Sequence, residues 1–553
     1  MKKRVLASVL AVILVLSSFT GCGKGEGTTS ASDAGTKTET SSTDNKKTET
    51  SEEASTASKY QTTYGSKKFD NVTIKVELFD RSNAPDGSTI TDNKWTKYCQ
   101  EAMAEVGINV EYIPVPRWDE VEKMQAMVAS QTAPDLTLTY TYAYAEDYFN
   151  QGGTWDLSEF IDGEDQARNI KAYIGEDVLD IGRNGNGNLY GIVAKRATTA
   201  KSNLFIRKDW LDKLGLAIPT NPDELYNAID KMVNNNPDGL TGVTGAVVWN
   251  KWNLKQVFSK IANDPIAVKV SGGGEDVIQD YYDPGMYDFY QFMNKLYNAG
   301  LLHPEYYSLT EDDFKSLIVT GNLAFSEYSV NGNVDVLRGS LLKTLKENVP
   351  DADFVSIPQF ANVNDGNVYS GAYGAGGLIA FCPKTASEEV VEACMTYLDW
   401  MCTDKGGFVL YHGFEGEHYD MIDGVPVVKD AEYNSKDKDW IRTDIFLVGN
   451  QGYFFSVDDF NKCTAKEAPG FESYVIQNYE YALTGTINHD TSYTSPSTPD
   501  LITDLNIARD DYQTKMITCK PGEFDDVYNE YMDELREVGI DTIIAEREAY
   551  YGK

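Results

Sequence analysis

Several residues in this chain pair a suitable type with a position that could line a pocket. Tyr140 and Tyr142 lie in the run TYTYAYAEDYF, which is too aromatic for an ordinary turn. Trp249 and Trp252 flank Asn250 and Lys251 after the apolar stretch Gly245 to Val248, and Glu327 and Tyr328 follow Leu323-Ala324-Phe325. Arg81 and Arg117 bring cationic donors to expected strand ends, Lys195 and Arg196 are two further cations, and Trp118 stands at a helix start. Aromatic faces stack on the apolar C–H faces of a ring, and planar polar groups bind its hydroxyls or carboxylates in pairs. This is the chemistry of holding a sugar-like ligand, and it assigns no catalytic residue. Core packing competes for each aromatic, above all for Trp210 and Trp400, whose surroundings read as amphipathic helices. A solvated or salt-bridged surface competes for each cation.

Other chemistries have weaker support. His412, Glu415, Glu417 and His418 place two imidazoles and two carboxylates within seven residues, a set that could hold zinc. The spacing is not HExxH, and Gly413 and Gly416 make the stretch a loop, so no metal is expected. Arg183 to Gly191 (RNGNGNLYG) reads as a hairpin turn with Asn-Gly chemistry and lacks the acidic ligands of a calcium loop. Neither a GxxxxGK[ST] phosphate loop nor a GxSxG nucleophile elbow occurs, and no cofactor is expected. Acidic pairs are so abundant that none can be singled out as a glycosidase pair.

The chain begins MKKRVLASVLAVILVLSSFTGC. Lys2, Lys3 and Arg4 precede an apolar run, Val5 to Leu16, that is too short to span a bilayer. The residues before Cys22 resemble a bacterial lipobox, with Phe19 where Leu is usual. That resemblance implies removal of residues 1–21, a lipid on Cys22 and work at the outer face of the cell membrane. Gly23 to Lys68 contains no Leu, Ile, Val, Phe, Met or Trp, so residues 22–68 are expected to form a disordered tether.

Composition narrows the rest. The formal charge is −36, and loss of three cations with the leader takes it to −39. A surface this acidic does not suit nucleic acid or an anionic membrane. Cys99, Cys382, Cys394, Cys402, Cys463 and Cys519 show no CxxC spacing and are expected as free, partly buried thiols. The part from Phe69 onward exceeds the size at which one core stops growing, so two lobes are expected.

Period and punctuation place the elements. Val72 to Phe79 and Ile108 to Ile113 alternate as strands, and Pro114 and Pro116 are expected to end the second. Asp92 to Val106 and Asp119 to Ser130 read as helices, and Leu136 to Thr139 as a third strand. This βαβαβ start predicts a parallel sheet with helices on both faces and a ligand beyond the strands' carboxyl ends.

The segments Leu189-Tyr190-Gly191-Ile192, Asn203 to Leu216 (NLFIRKDWLDKLGL) and Pro219-Thr220 with Asp223-Glu224-Leu225-Tyr226 resemble the extracellular solute-binding proteins of carbohydrate ABC importers. The long Gram-positive lipoprotein type is the nearest form. Gly321 to Phe325, Leu398 to Met401, Tyr411 to Tyr419 and Phe524 to Tyr550 agree in order. The resemblance implies a two-lobed, type II periplasmic-binding-protein-like α/β fold, each lobe a mostly parallel sheet flanked by helices. Lobe 1 would hold residues 69–195 and about 375–430, and lobe 2 residues 196–374 and about 431–553. Crossings would fall near Lys195 to Asn203 and Ala372 to Pro383. It also implies a monomer that delivers an oligosaccharide to membrane permease subunits. A peptide or charged-solute binder of the same fold and a lipid-anchored polysaccharide hydrolase are the alternatives.

Overall fold

In the computed structural model, residues 59–249, 251–272, 276–330, 340–450, 452–487, 493 and 495–552 are described. The leader, Cys22 and the tether as far as residue 58 lie outside them.

The chain first builds strands β1 (Val72–Asp80), β2 (Ile108–Pro116) and β3 (Thr137–Thr139). Between the first two lies the helix Lys94–Ala104, where Asn93 caps the backbone N–H groups of Trp95 and Thr96 and Thr96 returns the bond in a capping box. β1 and β2 pair in parallel along their whole length, Val72 opposite Ile108 and Asp80 opposite Pro116. Pro114 and Pro116 therefore do not end β2. It pairs with β1 alone, and a proline that lacks an N–H is tolerated at such an edge.

β4 (Ile192–Arg196) then leads across to β5 (Ser202–Arg207), β6 (Thr244–Val248), β7 (Leu323–Ser329) and β8 (Phe354–Ile357). Two-residue β9 (Ser370–Gly371) precedes β10 (Gly376–Phe381), which returns to the first sheet. β11 (Tyr419–Ile422) and β12 (Val425–Val428) form a hairpin, β13 (Gly449–Asn450) joins β4, and β14 (Thr486–Ile487) joins β9.

The two main sheets run β13-β4-β10-β3 and β6-β7-β5-β8. The α/β class is as expected, but the sheets are mixed rather than mostly parallel. β10 runs antiparallel to both β3 and β4, and β5 runs antiparallel to both β7 and β8. β10 enters against the earlier strands β3 and β4, and the later strands β7 and β8 are added antiparallel on either side of β5.

One apolar cluster gathers around the first sheet, from Tyr60 to Ala194 and again from Leu378 to Tyr453. The second sheet lies between two others: Leu204 and Ile206 face one, and Phe205 faces the other. This alternation is the strand period expressed as two buried faces.

Two expected boundaries move. Residues 59–68 pack against the first core instead of continuing the tether. Tyr60 stacks on Phe160 with ring centroids 3.9 Å apart, Thr62 Oγ1 donates to the Phe160 carbonyl at 2.6 Å, and the Tyr64 N–H donates to Asp399 at 2.8 Å. Tyrosine supplies the apolar surface that the aliphatic count overlooked. Likewise Ile441, Ile445, Phe446, Leu447 and Val448 belong to the first core, because β13 pairs with β4. These residues lie in the stretch from about 431 that was expected in lobe 2.

Cys99, Cys382, Cys394, Cys402 and Cys463 are buried free thiols, and Cys519 is partly exposed. The Asn-Gly turn forms, with Asn184 Oδ1 accepting from the N–H groups of Asn186 and Asn188. Among the described residues, no helix is long and apolar enough to cross a membrane.

Candidate ligand-binding site

A cavity of about 220 Å³ opens between the first and second cores. Its two walls begin at the carboxyl ends of strands. β3 runs directly into Tyr140 and Tyr142, and β6 into the helix Trp252–Phe258. From the first core come Tyr140, Tyr142, Arg196, Gly376 and Gly377; from the second come Lys201, Trp252, Gln256, Ser271, Gly272, Asp276 and Gln279. The segment Gly371 to Gly374 closes one side.

The crossings make this junction. Ala200 bridges to Ala372, the Tyr373 N–H donates to the Thr199 carbonyl at 2.9 Å, and the Arg196 N–H donates to the Ala375 carbonyl at 2.9 Å. The outgoing and returning segments thus run side by side and hold Arg196, Lys201 and Tyr373 at the cavity. Tyr142 Oη donates to the Gly377 carbonyl at 2.5 Å. A Cβ on Gly376 would lie 2.7 Å from that hydroxyl, so only glycine admits the approach.

The aromatic walls are preorganised. Tyr140 stacks on Phe79 at 5.9 Å, and the Arg117 guanidinium lies 4.3 Å from the Tyr140 ring centroid. Trp252 meets Tyr373 edge-on at 6.2 Å, with Lys201 Nζ 3.5 Å from the Trp252 ring centroid. Burial pulls the Lys201 ammonium down to about 8, although Asp276 and Glu327 oppose the shift. Burial also lowers Arg196 and raises Tyr140 and Tyr373, so the two phenols remain hydrogen-bond donors at neutral pH.

Four of the residues singled out from sequence, Tyr140, Tyr142, Arg196 and Trp252, line this cavity together. Arg117 supports it from behind Tyr140, at 4.0 Å from Glu120. Arg81 is tied to Asp444 through two bonds of 2.8 and 3.0 Å. Trp118 is 77% exposed beside both arginines. The remaining four point elsewhere. Lys195 Nζ donates to the Tyr173 carbonyl at 3.0 Å. Trp249 stacks on Phe314 at 5.4 Å, and Tyr328 donates to Glu311 at 2.8 Å. Glu327 is fully buried and accepts from Ser202 Oγ, the Asn253 N–H and the Leu254 N–H. Glu327 and Tyr328 are engaged in packing because β7 is an interior strand of its sheet, Trp249 because it lies on Phe314 of the helix Glu311–Val319, and Lys195 because β4 carries it to Tyr173.

Sequence reasoning missed Lys201, Tyr373, Asp276, Gln256 and Gln279. Lys201 and Tyr373 carried a usable signal, since both lie in the crossings that the family resemblance implies. Asp276, Gln256 and Gln279 looked like ordinary polar helix residues.

The histidine-carboxylate loop is occupied by its own contacts. His418 Nε2 lies 2.8 Å from Asp437, its Nδ1 accepts from the Phe414 N–H, and Lys94 Nζ reaches both Glu417 and Asp437 at 2.8 and 3.2 Å. The lysine ammonium takes the place of the positive charge that a metal would bring to Glu417, His418 and Asp437. His412 is buried and pushed down to about 3, so it is neutral.

Two α/β cores joined by paired crossings, with an aromatic and polar cavity at the junction, make the plan of a solute-binding protein. Residues 97–411, more than half of the chain, match the bacterial extracellular solute-binding protein family, and the chain belongs to it. One relative is the polygalacturonan/rhamnogalacturonan-binding protein YtcQ of Bacillus subtilis (strain 168), 23% identical over 359 residues, which cover 62% of this chain and 66% of that one. Another is lipoprotein LipO of the same strain, 24% identical over 293 residues, or 50% of this chain and 54% of that one. The chain therefore spans less than two thirds of the length of either. Among solved structures, the alginate-binding protein AlgQ2 without calcium ion shares the fold at a TM-score of 0.58 and 19% identity, over 88% of this chain and 98% of that one.

Proposed function

We propose that this protein is the substrate-binding lipoprotein of an ABC importer, and that it captures an oligosaccharide between its two cores and hands it to membrane permease subunits. The observation that carries the reading is the cavity, where Tyr140 and Tyr142 from one core face Trp252 from the other across a rim of polar groups. Aromatic faces on both sides suit a pyranose ring, which has C–H groups on each face. Membership of the solute-binding family and the polysaccharide named for YtcQ support the same ligand class.

Residues 69–196 with about 375–453 then act as lobe 1, and residues 197–374 with 454–553 as lobe 2. The paired crossings, rich in small residues from Gly371 to Gly377, serve as the hinge. Ligand contacting both lobes favours the closed form, which the permease reads. A lipid on Cys22 keeps the monomer at the outer membrane face. Catalysis has no part in this reading, and ATP is hydrolysed by a separate subunit.

A thermal-shift screen of oligosaccharides, run beside product analysis, tests it. A bound ligand raises the melting temperature through RT ln(1 + [L]/Kd), without turnover. Released product would instead favour a hydrolase, and stabilisation by peptides alone a peptide binder.

A further inference from the structure

We infer that the cavity takes a sugar acid, a uronate-containing oligosaccharide whose carboxylate is held by Arg196 and Lys201 beside Tyr373. The inference rests on the sugar-binding reading above and adds the charge of the ligand and the groups that read it.

The chain carries 85 acidic and 49 basic residues, so a cation is rarely far from a carboxylate. Neighbouring basic residues show this. Arg81 is bound by Asp444, and Lys255 by Asp280 at 2.7 Å and Asp276 at 3.7 Å. Arg196 and Lys201 differ. Among the described residues, neither has a carboxylate within ion-pair distance, and both charges lie over one ring, at 4.4 and 5.5 Å from the Tyr373 centroid. The Arg196 Nε is buried and has no hydrogen-bond partner among the described residues.

The acids that act on Lys201 are committed elsewhere. Asp276 lines the cavity, but Lys255 is the strongest influence on it and holds it below the usual carboxylate range. Glu327 is spent on Ser202, Asn253 and Leu254. Two cations over one ring, neither ion-paired to a carboxylate among the described residues, are costly in a half-buried site, and a carboxylate supplied by the ligand reduces that cost. The guanidinium offers the fork of donors that a carboxylate fits, and the ammonium adds a point charge. With Tyr140 and Trp252 available to stack, the pair suits a ring that bears a carboxylate.

Calorimetry on the full chain tests this with trigalacturonate, trimannuronate and their carboxyl-reduced neutral counterparts. The tighter of the two uronates is expected to bind about tenfold or more better than its neutral counterpart. Arg196→Gln and Lys201→Gln are each expected to remove most of that difference. Two separate variants guard against one that folds poorly. Equal or tighter binding of the carboxyl-reduced sugar by the wild-type protein would overturn the inference and leave sugar binding standing. Discrimination that persists in both variants would overturn the assignment to Arg196 and Lys201. Failure of every oligosaccharide, acidic or neutral, to bind would overturn the underlying reading instead.

Discussion

Tyr140 and Trp249 are both aromatic residues placed just after a strand, and their neighbours give them different work. Tyr140 turns one side to Phe79 and borders the cavity, whereas Trp249 lies flat on Phe314. Tyr140→Ala and Trp252→Ala are therefore expected to weaken oligosaccharide binding by about tenfold, the worth of a good stacking contact, with little change in melting temperature. Trp249→Ala should do the reverse, with a loss of about 2–3 kcal/mol in stability and near-normal affinity measured by calorimetry. Lys201 adds a pH signature. Its ammonium is held at about 8 by burial, with Asp276 and Glu327 raising it and Arg196 and Lys255 lowering it. An anionic ligand prefers the protonated form, so affinity for uronates should fall as pH rises through about 8. Lys201→Gln should flatten that profile, and a wild-type Kd that does not change between pH 6.5 and 9 would argue against a facing ammonium. Tyr140, Tyr142, Arg196 and Trp252 were legible because local context marks them as strand-end or crossover residues. Asp276 and Gln279 were not, because they reach the cavity only through the packing of a distant helix.

The pivotal element is the helix Trp252–Phe258, which carries Trp252 into the cavity on its first turn. Its first N–H groups have no partner within the helix, and Glu327 on β7 accepts two of them, from Asn253 and Leu254. Glu327 was read as a ligand group, and the structure makes it the buried anchor that fixes this wall against β5 and β7. Glu327→Ala would leave buried N–H groups unsatisfied and should cost about 2–3 kcal/mol by chemical denaturation. It should also weaken ligand binding through misplaced Trp252. Burial raises this carboxyl to about 7. The folded state therefore binds its proton more tightly than the unfolded chain does. The stability it contributes is complete below about 4.5 and is lost as pH rises through about 7. Glu327→Gln should remove that slope from the stability profile.

At the scale of the molecule, the outgoing and returning segments between the cores run side by side and gather Arg196, Lys201 and Tyr373 into one cluster. Ligand binding is expected to reduce the radius of gyration in solution scattering, because closure brings both walls onto the sugar. Anchoring belongs to the same scale. Cys22→Ala is expected to release the protein from the membrane into the medium. A variant that still requires detergent for extraction would refute attachment through that residue.

The linear chain was enough to establish an acidic protein with a lipobox-like leader, an alternating α/β order and strand ends rich in aromatics and cations. Each of these is a local property, written in composition, period or spacing over a few residues. Tertiary structure alone decided the rest: the mixed sense of the sheets, the return of residues 441–453 to the first core, the docking of residues 59–68 through tyrosines, and which cations keep a carboxylate partner. Those outcomes depend on contacts between residues hundreds of positions apart. Arg81 meets Asp444, while Arg196 and Lys201 both lie near the Tyr373 ring, and no spacing along the chain distinguishes the paired charge from the two that line the cavity.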